Sequence, residues 1–336
     1  MLITKKSNYS YLLPAIPPAL WGTGIGIAKF LLSSFPIDSI TLVYSRFLFT
    51  ALLMLPLMFY LVLKPNKNST LAETTGSFNL FLKNKTILGI SFIIAISLTG
   101  VALNNYVFYY GLTYTLASDS ALIVGLSPII SIILASIIIK KPFQRNQLIG
   151  SILGLFGVGL IIGLQIFNLN ISRLLGDIIV LVGITLWSSS FIFSKKASEI
   201  GYSAIAITFY SIAIAVIFMT PLILLEGYLS TLVIVLADFR FLLAMLFFGL
   251  LSGALGYSIW YGTIHKLGPV ETAIFLDSIP FWTLIFSFLF LHESITIFHI
   301  TGLVFISIGV VIVNKKDLLK KSSKSIFLDT EEATIN

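Results

Sequence analysis

The chain is predicted to be an all-α integral membrane protein whose ten transmembrane helices form two inverted five-helix repeats. Three observations carry that prediction: apolar stretches of spanning length follow one another along 336 residues, basic residues gather at alternate connections, and landmark residues recur in order at a fixed separation. With 57% apolar and 10% charged residues, the chain lies far from the roughly 25% charged content of soluble domains.

A transmembrane helix needs roughly 20 mostly apolar residues to cross about 30 Å of hydrocarbon. Stretches near 11–33, 40–63, 86–111, 117–139, 144–167, 175–195, 203–225, 240–264, 270–291 and 296–314 meet that requirement. The first contains Pro14, Pro17 and Pro18 and is long for a secretory apolar core, so it is expected to remain as a span. Between the second and third lies a polar, Asn/Thr-rich loop at 64–85, expected to be solvated. A polar tail from 316 to 336, carrying Asp329, Glu331 and Glu332, is expected to be disordered and cytoplasmic.

The formal charge of +7 would invite a nucleic-acid partner in a soluble chain, but the positions of the basic residues have a better explanation. With the N-terminus inside, all 21 except Lys29, Arg46, Arg173 and Arg240 fall at cytoplasmic ends, from Lys5 and Lys6 through Lys140, Lys141 and Arg145 to Lys315 and Lys316. An even number of spans preserves this bias and losing one scatters it. A multi-pass location in the cytoplasmic (inner) membrane, with both termini cytoplasmic and the lipid bilayer as the surrounding partner, is the expectation.

A shift of 152 residues places Tyr109 on Tyr261, Ala121 on Ala273, Pro128 on Pro280, Gly150 on Gly302 and Gly157 on Gly309. A shift of 166 places Trp21 on Trp187 and Lys29 on Lys195. The halves are therefore read as 1–168 and 169–315. Five spans per half is an odd number, so the second half enters the bilayer from the opposite side, an arrangement that recurs in secondary transporters. With these landmarks the chain resembles the EamA family of the drug/metabolite transporter superfamily over about 11–165 and 176–314. The resemblance rests on Trp21-Gly22, Arg46, the Phe108 to Gly111 run, Ser127-Pro128, Gly176-Asp177, Trp187, Tyr261-Gly262, Pro280 and the Leu291-His292-Glu293 corner. Where the family usually has an acidic residue after the fourth span, this chain has Lys140-Lys141. The resemblance implies a carrier of small polar organic metabolites, amino acids among them, with export the implied direction.

Residues for such a site follow from their chemistry. Asp277 places a carboxylate inside a span, where insertion costs roughly 2.5–3.5 kcal/mol and a function or a partner is the usual reason. It is read as a substrate contact or proton-coupling group. Asn105 and Tyr109 stack one turn apart on a helix, and Tyr257 and Tyr261 correspond to them at the 152 offset. Asn can donate and accept while Tyr offers an apolar body with one hydroxyl, which together suit a small polar solute. Trp260 adds a ring face for a cation or an aromatic group, Trp21 and Trp187 are read as cavity walls, and Ser189 as a hydroxyl for the ligand. For each, helix packing is the competing role. Lys29 is expected to snorkel to the outer interface and Arg46 to anchor near a helix start.

Other chemistries lack their residues. There are no cysteines and three histidines, His265, His292 and His299, all near span ends. No metal site or cofactor is expected, and His292-Glu293 lacks the second histidine of a zinc helix. The Gly22-Thr23-Gly24-Ile25-Gly26 run follows no strand and is read as a close helix contact, not a phosphate cradle. A lipid- or sugar-headgroup translocase of the same superfamily is the nearer alternative to a metabolite carrier. A membrane-embedded enzyme is the more distant one, because no nucleophile, base and acid converge.

Overall fold

The structure, a computed structural model, describes residues 13–63, 87–138, 140, 145–167, 170–225 and 227–312. The expected 64–85 loop, the 316–336 tail, and Lys5, Lys6 and Lys141 lie outside them.

Among the described residues the regular elements are all helical. In chain order they are α1 (Leu13–Ser34), α2 (Ser39–Leu63), α3 (Ile87–Tyr114), α4 (Ala117–Val124), α5 (Ser127–Ile138), α6 (Arg145–Phe167), α7 (Ile171–Ile200) and α8 (Ala204–Leu225). Then follow α9 (Tyr228–Leu236), α10 (Phe239–Leu267), α11 (Pro269–Ala273), α12 (Ile279–Phe290) and α13 (Ile297–Ile312). Six of these, α1, α2, α3, α7, α8 and α10, are long and apolar enough to cross a membrane, and α4 with α5 makes a seventh if the bent pair is one span. Phe59, Ile217 and Leu225 point outward while Ser97, Ser188, Ser211 and Thr283 are buried. This distribution, with large apolar side chains outside and hydroxyls inside, is that of a chain solvated by lipid.

Several expected spans are not the uninterrupted helices anticipated. The stretch 117–139 bends by 40° between α4 and α5, and 270–291 begins with the short α11 and a 3-10 turn, Ile274–Ser278, before α12. Pro128 and Pro280 are each the second residue of the helix that follows the break. There a missing N–H costs nothing, so both prolines start helices and neither interrupts one. The short apolar α9 has no counterpart in the expected span list.

Long spans α3 and α10 are locally widened into π-helix at Ser97–Ala102 and Phe247–Tyr257. Such bulges rotate side chains out of α-register and are frequent beside functional sites. The two non-glycine residues with left-handed backbone among the described residues, Lys140 (φ 57°) and His292 (φ 54°), stand 152 positions apart. Close backbone contacts hold the bundle together. A Cβ on Gly111 would lie 2.8 Å from the Gly176 carbonyl oxygen and one on Gly176 would lie 2.9 Å from that of Gly111, so only glycine lets α3 and α7 touch here. A Cβ on Gly22 would lie 2.7 Å from the Ile279 carbonyl oxygen, as the reading of Gly22 as a helix contact requires.

Helix ends are satisfied by side chains. Asp238 caps α10 by accepting from the Arg240 backbone N–H (2.8 Å), and the Arg240 guanidinium beside it holds its carboxyl down to about 2. Glu293 accepts from the Ala117 and Ser118 N–H groups at 2.9 and 3.0 Å, giving the N-terminus of α4 a carboxylate.

Candidate functional site

A cavity opens between α1, α2, α3, α7 and α10. Its polar end is built around Arg46, two turns into α2 and 4% exposed. Nη1 donates to Asn105 Oδ1 at 3.1 Å and to the Tyr109 hydroxyl, while Nη2 donates to Ser252 Oγ at 3.3 Å. The guanidinium carbon lies 4.9 Å from the ring centroids of both Phe47 and Phe248. This placement overturns the expected role of Arg46 as an interfacial anchor: the side chain is buried and reaches partners on α3 and α10 inside the bundle.

The π-helical stretches set up this end. Asn105 follows the stretch in α3 and donates to the Val101 carbonyl at 2.8 Å, which orients its amide oxygen toward Arg46. Ser252 and Tyr257 lie on the stretch in α10, and the Tyr257 hydroxyl is 3.5 Å from Asn105 Nδ2. The Ser252 carbonyl oxygen accepts from Trp21 Nε1 at 3.0 Å, so the indole is fixed at both its ring face and its polar edge.

The opposite wall is aromatic. Trp21 meets Trp187 edge to face with centroids 5.2 Å apart, and the Tyr257 ring is tilted against Trp21, also at 5.2 Å. Trp21 and Trp187, matched at the 166 offset, thus touch each other across the interior. Apolar lining from Ile25, Val124, Ile184 and Ile279 completes the chamber.

Of the residues singled out by sequence, Trp21, Asn105, Tyr109, Trp187 and Tyr257 line this cavity. Four others do not, and each has a physical reason. Trp260 is fully buried behind the wall, its ring 5.2 Å from Trp21 and 5.4 Å from Phe191. Tyr261 packs behind Tyr257 at 5.8 Å. Ser189 returns its hydroxyl to the Leu186 carbonyl at 2.6 Å, satisfying its own helix. Asp277 sits on the 3-10 turn beside Ser307, turned away from the chamber although Ile279, two residues on, lines it; its Oδ1 is buried with no hydrogen-bond partner among the described residues.

Lys29 does not belong to the cavity lining. Its ammonium donates to the Leu112 and Thr115 carbonyls at 2.7 and 2.6 Å, closing the C-terminus of α3. Lys195 does the same for α10, donating to the His265 carbonyl at 2.9 Å. Two further acids, Asp119 and Asp177, near the starts of α4 and α7, are fully buried. Asp119 accepts from Arg173 Nε at 2.6 Å and pairs with His299 Nε2 at 2.9 Å; the Thr115 hydroxyl donates to Asp177 and lies 3.4 Å from Asp119. Sequence separation hid this network, whose members stand 54 and 180 positions apart.

Among the described residues no group of three His, Cys, Asp or Glu side chains is placed to hold a metal. Fold and site together define a polytopic helical membrane protein with an internal polar-aromatic cavity. The chain belongs to the EamA-like transporter family, whose sequence profile matches residues 8–163 and 174–315. It is thus a transporter and not an enzyme. Among its relatives is YyaM, an uncharacterized transporter of Bacillus subtilis, 28% identical over 65% of this chain and 70% of the relative. An uncharacterized transporter of Archaeoglobus fulgidus is 23% identical over 92% of this chain and 99% of its own length. PecM of Dickeya dadantii is 24% identical over 70% and 78%. A crystal structure that covers 91% of this chain and 98% of its own superposes with a TM-score of 0.58 at 11% identity, a likeness of fold alone.

Proposed function

We propose that the chain is a secondary transporter that moves a small polar organic metabolite out of the cell across the cytoplasmic membrane by alternating access. Its scaffold in this reading is ten transmembrane helices in two inverted five-helix repeats, 1–168 and 169–315, with both termini cytoplasmic. The observation that carries the proposal is that the cavity takes its wall from both halves: Trp21, Arg46, Asn105 and Tyr109 from one, Trp187, Ser252 and Tyr257 from the other. A site at the interface of two related halves opens to alternate sides when one half rocks against the other.

Features repeated at the sequence offsets support the duplicated scaffold. The π-helical stretches, the breaks before Ser127 and Ile279, the left-handed corners at Lys140 and His292, and the lysine caps Lys29 and Lys195 all recur in the two halves. A Cβ on Gly157 would lie 2.7 Å from the Gly302 carbonyl oxygen, and one on Gly309 would lie 2.6 Å from that of Gly150. Such reciprocal cross-pairing is what a two-fold relation between halves produces.

Asp277 is the proposed coupling group, since a buried carboxylate with an unpartnered oxygen two residues before the cavity-lining Ile279 can load and release a proton. The test is uptake and efflux in reconstituted vesicles against a panel of amino acids, nucleosides and related metabolites, with and without an imposed pH gradient. The reading expects saturable movement of at least one solute, and accumulation driven by the gradient that a well-folded Asp277→Asn protein loses while keeping exchange. No solute movement above that of empty vesicles would sink the transporter reading; gradient-driven accumulation by Asp277→Asn equal to the parent's would remove the proton site.

A further inference from the structure

We infer that the substrate is an organic monocarboxylate: its carboxylate sits on Arg46 and its apolar body lies against the Trp21 and Trp187 rings. The inference rests on the transporter reading and specifies the solute for the same cavity. Arg46 is buried in the bundle, and a guanidinium cannot shed its proton to escape the cost of burial. Its hydrogen-bond partners, Asn105, Tyr109 and Ser252, are all neutral. Among the described residues none of the ion pairs includes it, and no Asp or Glu belongs to the cavity lining. The site therefore holds one fixed positive charge with no protein counter-charge, which an anionic ligand neutralises.

The geometry selects the kind of anion. The edge of the guanidinium formed by Nε and Nη2 carries only the 3.3 Å bond to Ser252 and an Nε that is buried with no partner. Two parallel N–H donors on that edge match the two oxygens of a carboxylate. A phosphate dianion would leave one charge uncompensated, because the lining has no second cation. A zwitterion would bring an ammonium into a wall with no carboxylate to receive it. In the same lining Trp21 and Trp187 supply aromatic surface and Ile25 and Ile184 aliphatic surface, which suits an apolar body and not a polyhydroxylated one.

The test measures binding apart from transport. Thermal unfolding of the purified full chain in detergent is followed with phenylacetate, phenylacetamide, phenethylamine, phenylalanine and inorganic phosphate at equal millimolar concentrations. These aromatic probes share a benzyl body and differ in carrying a carboxylate, a neutral amide, an ammonium, or both charges. Phenylacetate is expected to raise the melting temperature most. Arg46→Gln, with its unliganded melting curve still cooperative, is expected to bind phenylacetate about 10- to 100-fold more weakly, the loss typical of a charged hydrogen-bonding partner. Arg46→Lys, which keeps the charge without the fork, should retain the preference for phenylacetate over phenylacetamide at reduced affinity.

The inference is overturned if no carboxylate stabilises the parent, if phenylacetamide, phenethylamine, phenylalanine or phosphate matches or exceeds phenylacetate, or if folded Arg46→Gln responds as the parent does. Should Arg46→Gln fail to fold, the parent's ranking of the five probes decides alone. Failure of the two readings is distinguishable. Phenylacetate binding without movement of any solute in vesicles defeats transport and leaves the carboxylate site, whereas movement of solutes with no carboxylate preference defeats the site and leaves transport.

Discussion

Asn105 joins a helix backbone to a guanidinium: its amide nitrogen donates to Val101 while its oxygen accepts from Arg46. Truncation to alanine removes an acceptor from a buried charge, a loss of about 1–3 kcal/mol. Asn105→Ala is therefore expected to weaken ligand binding by roughly tenfold or more, measured as ligand-induced stabilisation alongside the melting temperature of the unliganded protein. Tyr257→Phe removes a hydroxyl held only by a 3.5 Å contact and should weaken binding less. If both variants bind as the parent does, the polar end of the cavity is not a ligand contact. The residues of this end were unequally legible. Asn105, Tyr109 and Tyr257 could be read from one-turn spacing and the 152 offset, because repetition marks positions whatever their tilt. Arg46 could not, since a charge two turns into a helix reads as an anchor until the crossing of α2 with α10 is known.

At the scale of elements, side chains reach across the bundle to satisfy helix ends. Lys29 holds the last carbonyls of α3 from α1, and a cation at a helix C-terminus contributes about 0.3–1 kcal/mol, with more where it is partly buried. Lys29→Met should lower the melting temperature without altering ligand ranking, as followed by thermal unfolding in detergent. The Asp119 network is expected to matter more. Asp119→Ala leaves Arg173 and His299 without their shared carboxylate and should cost about 3–5 kcal/mol, the range for breaking a buried pair from one side. A smaller loss than that of Lys29→Met would show that solvent already screens the network. Helix existence was legible from apolar length, but the break between α4 and α5 was not. Pro128 signals a helix start as well as it signals a kink, and only the 40° bend at the preceding turn tells which.

For the whole molecule, the proposed topology makes a prediction that needs no ligand. The chain has no cysteine, so a single Ser69→Cys substitution reports the side of the 64–85 loop. An impermeant thiol reagent applied to intact cells should leave it unlabelled and should label it after the membrane is opened. Labelling in intact cells would place the loop outside and reverse the orientation read from the lysines. Apolar length, charge asymmetry and ordered repetition are properties of the linear chain, and from them alone a helical membrane chain resembling the EamA family, with landmark residues in two sets, could be read. Tertiary structure alone decided which polar side chains share a chamber. Arg46 meets Ser252 across 206 positions and Trp21 meets the same residue's carbonyl across 231, and contacts at such separations depend on helix tilt and rotation, which packing between α1, α2 and α10 sets and local sequence does not encode.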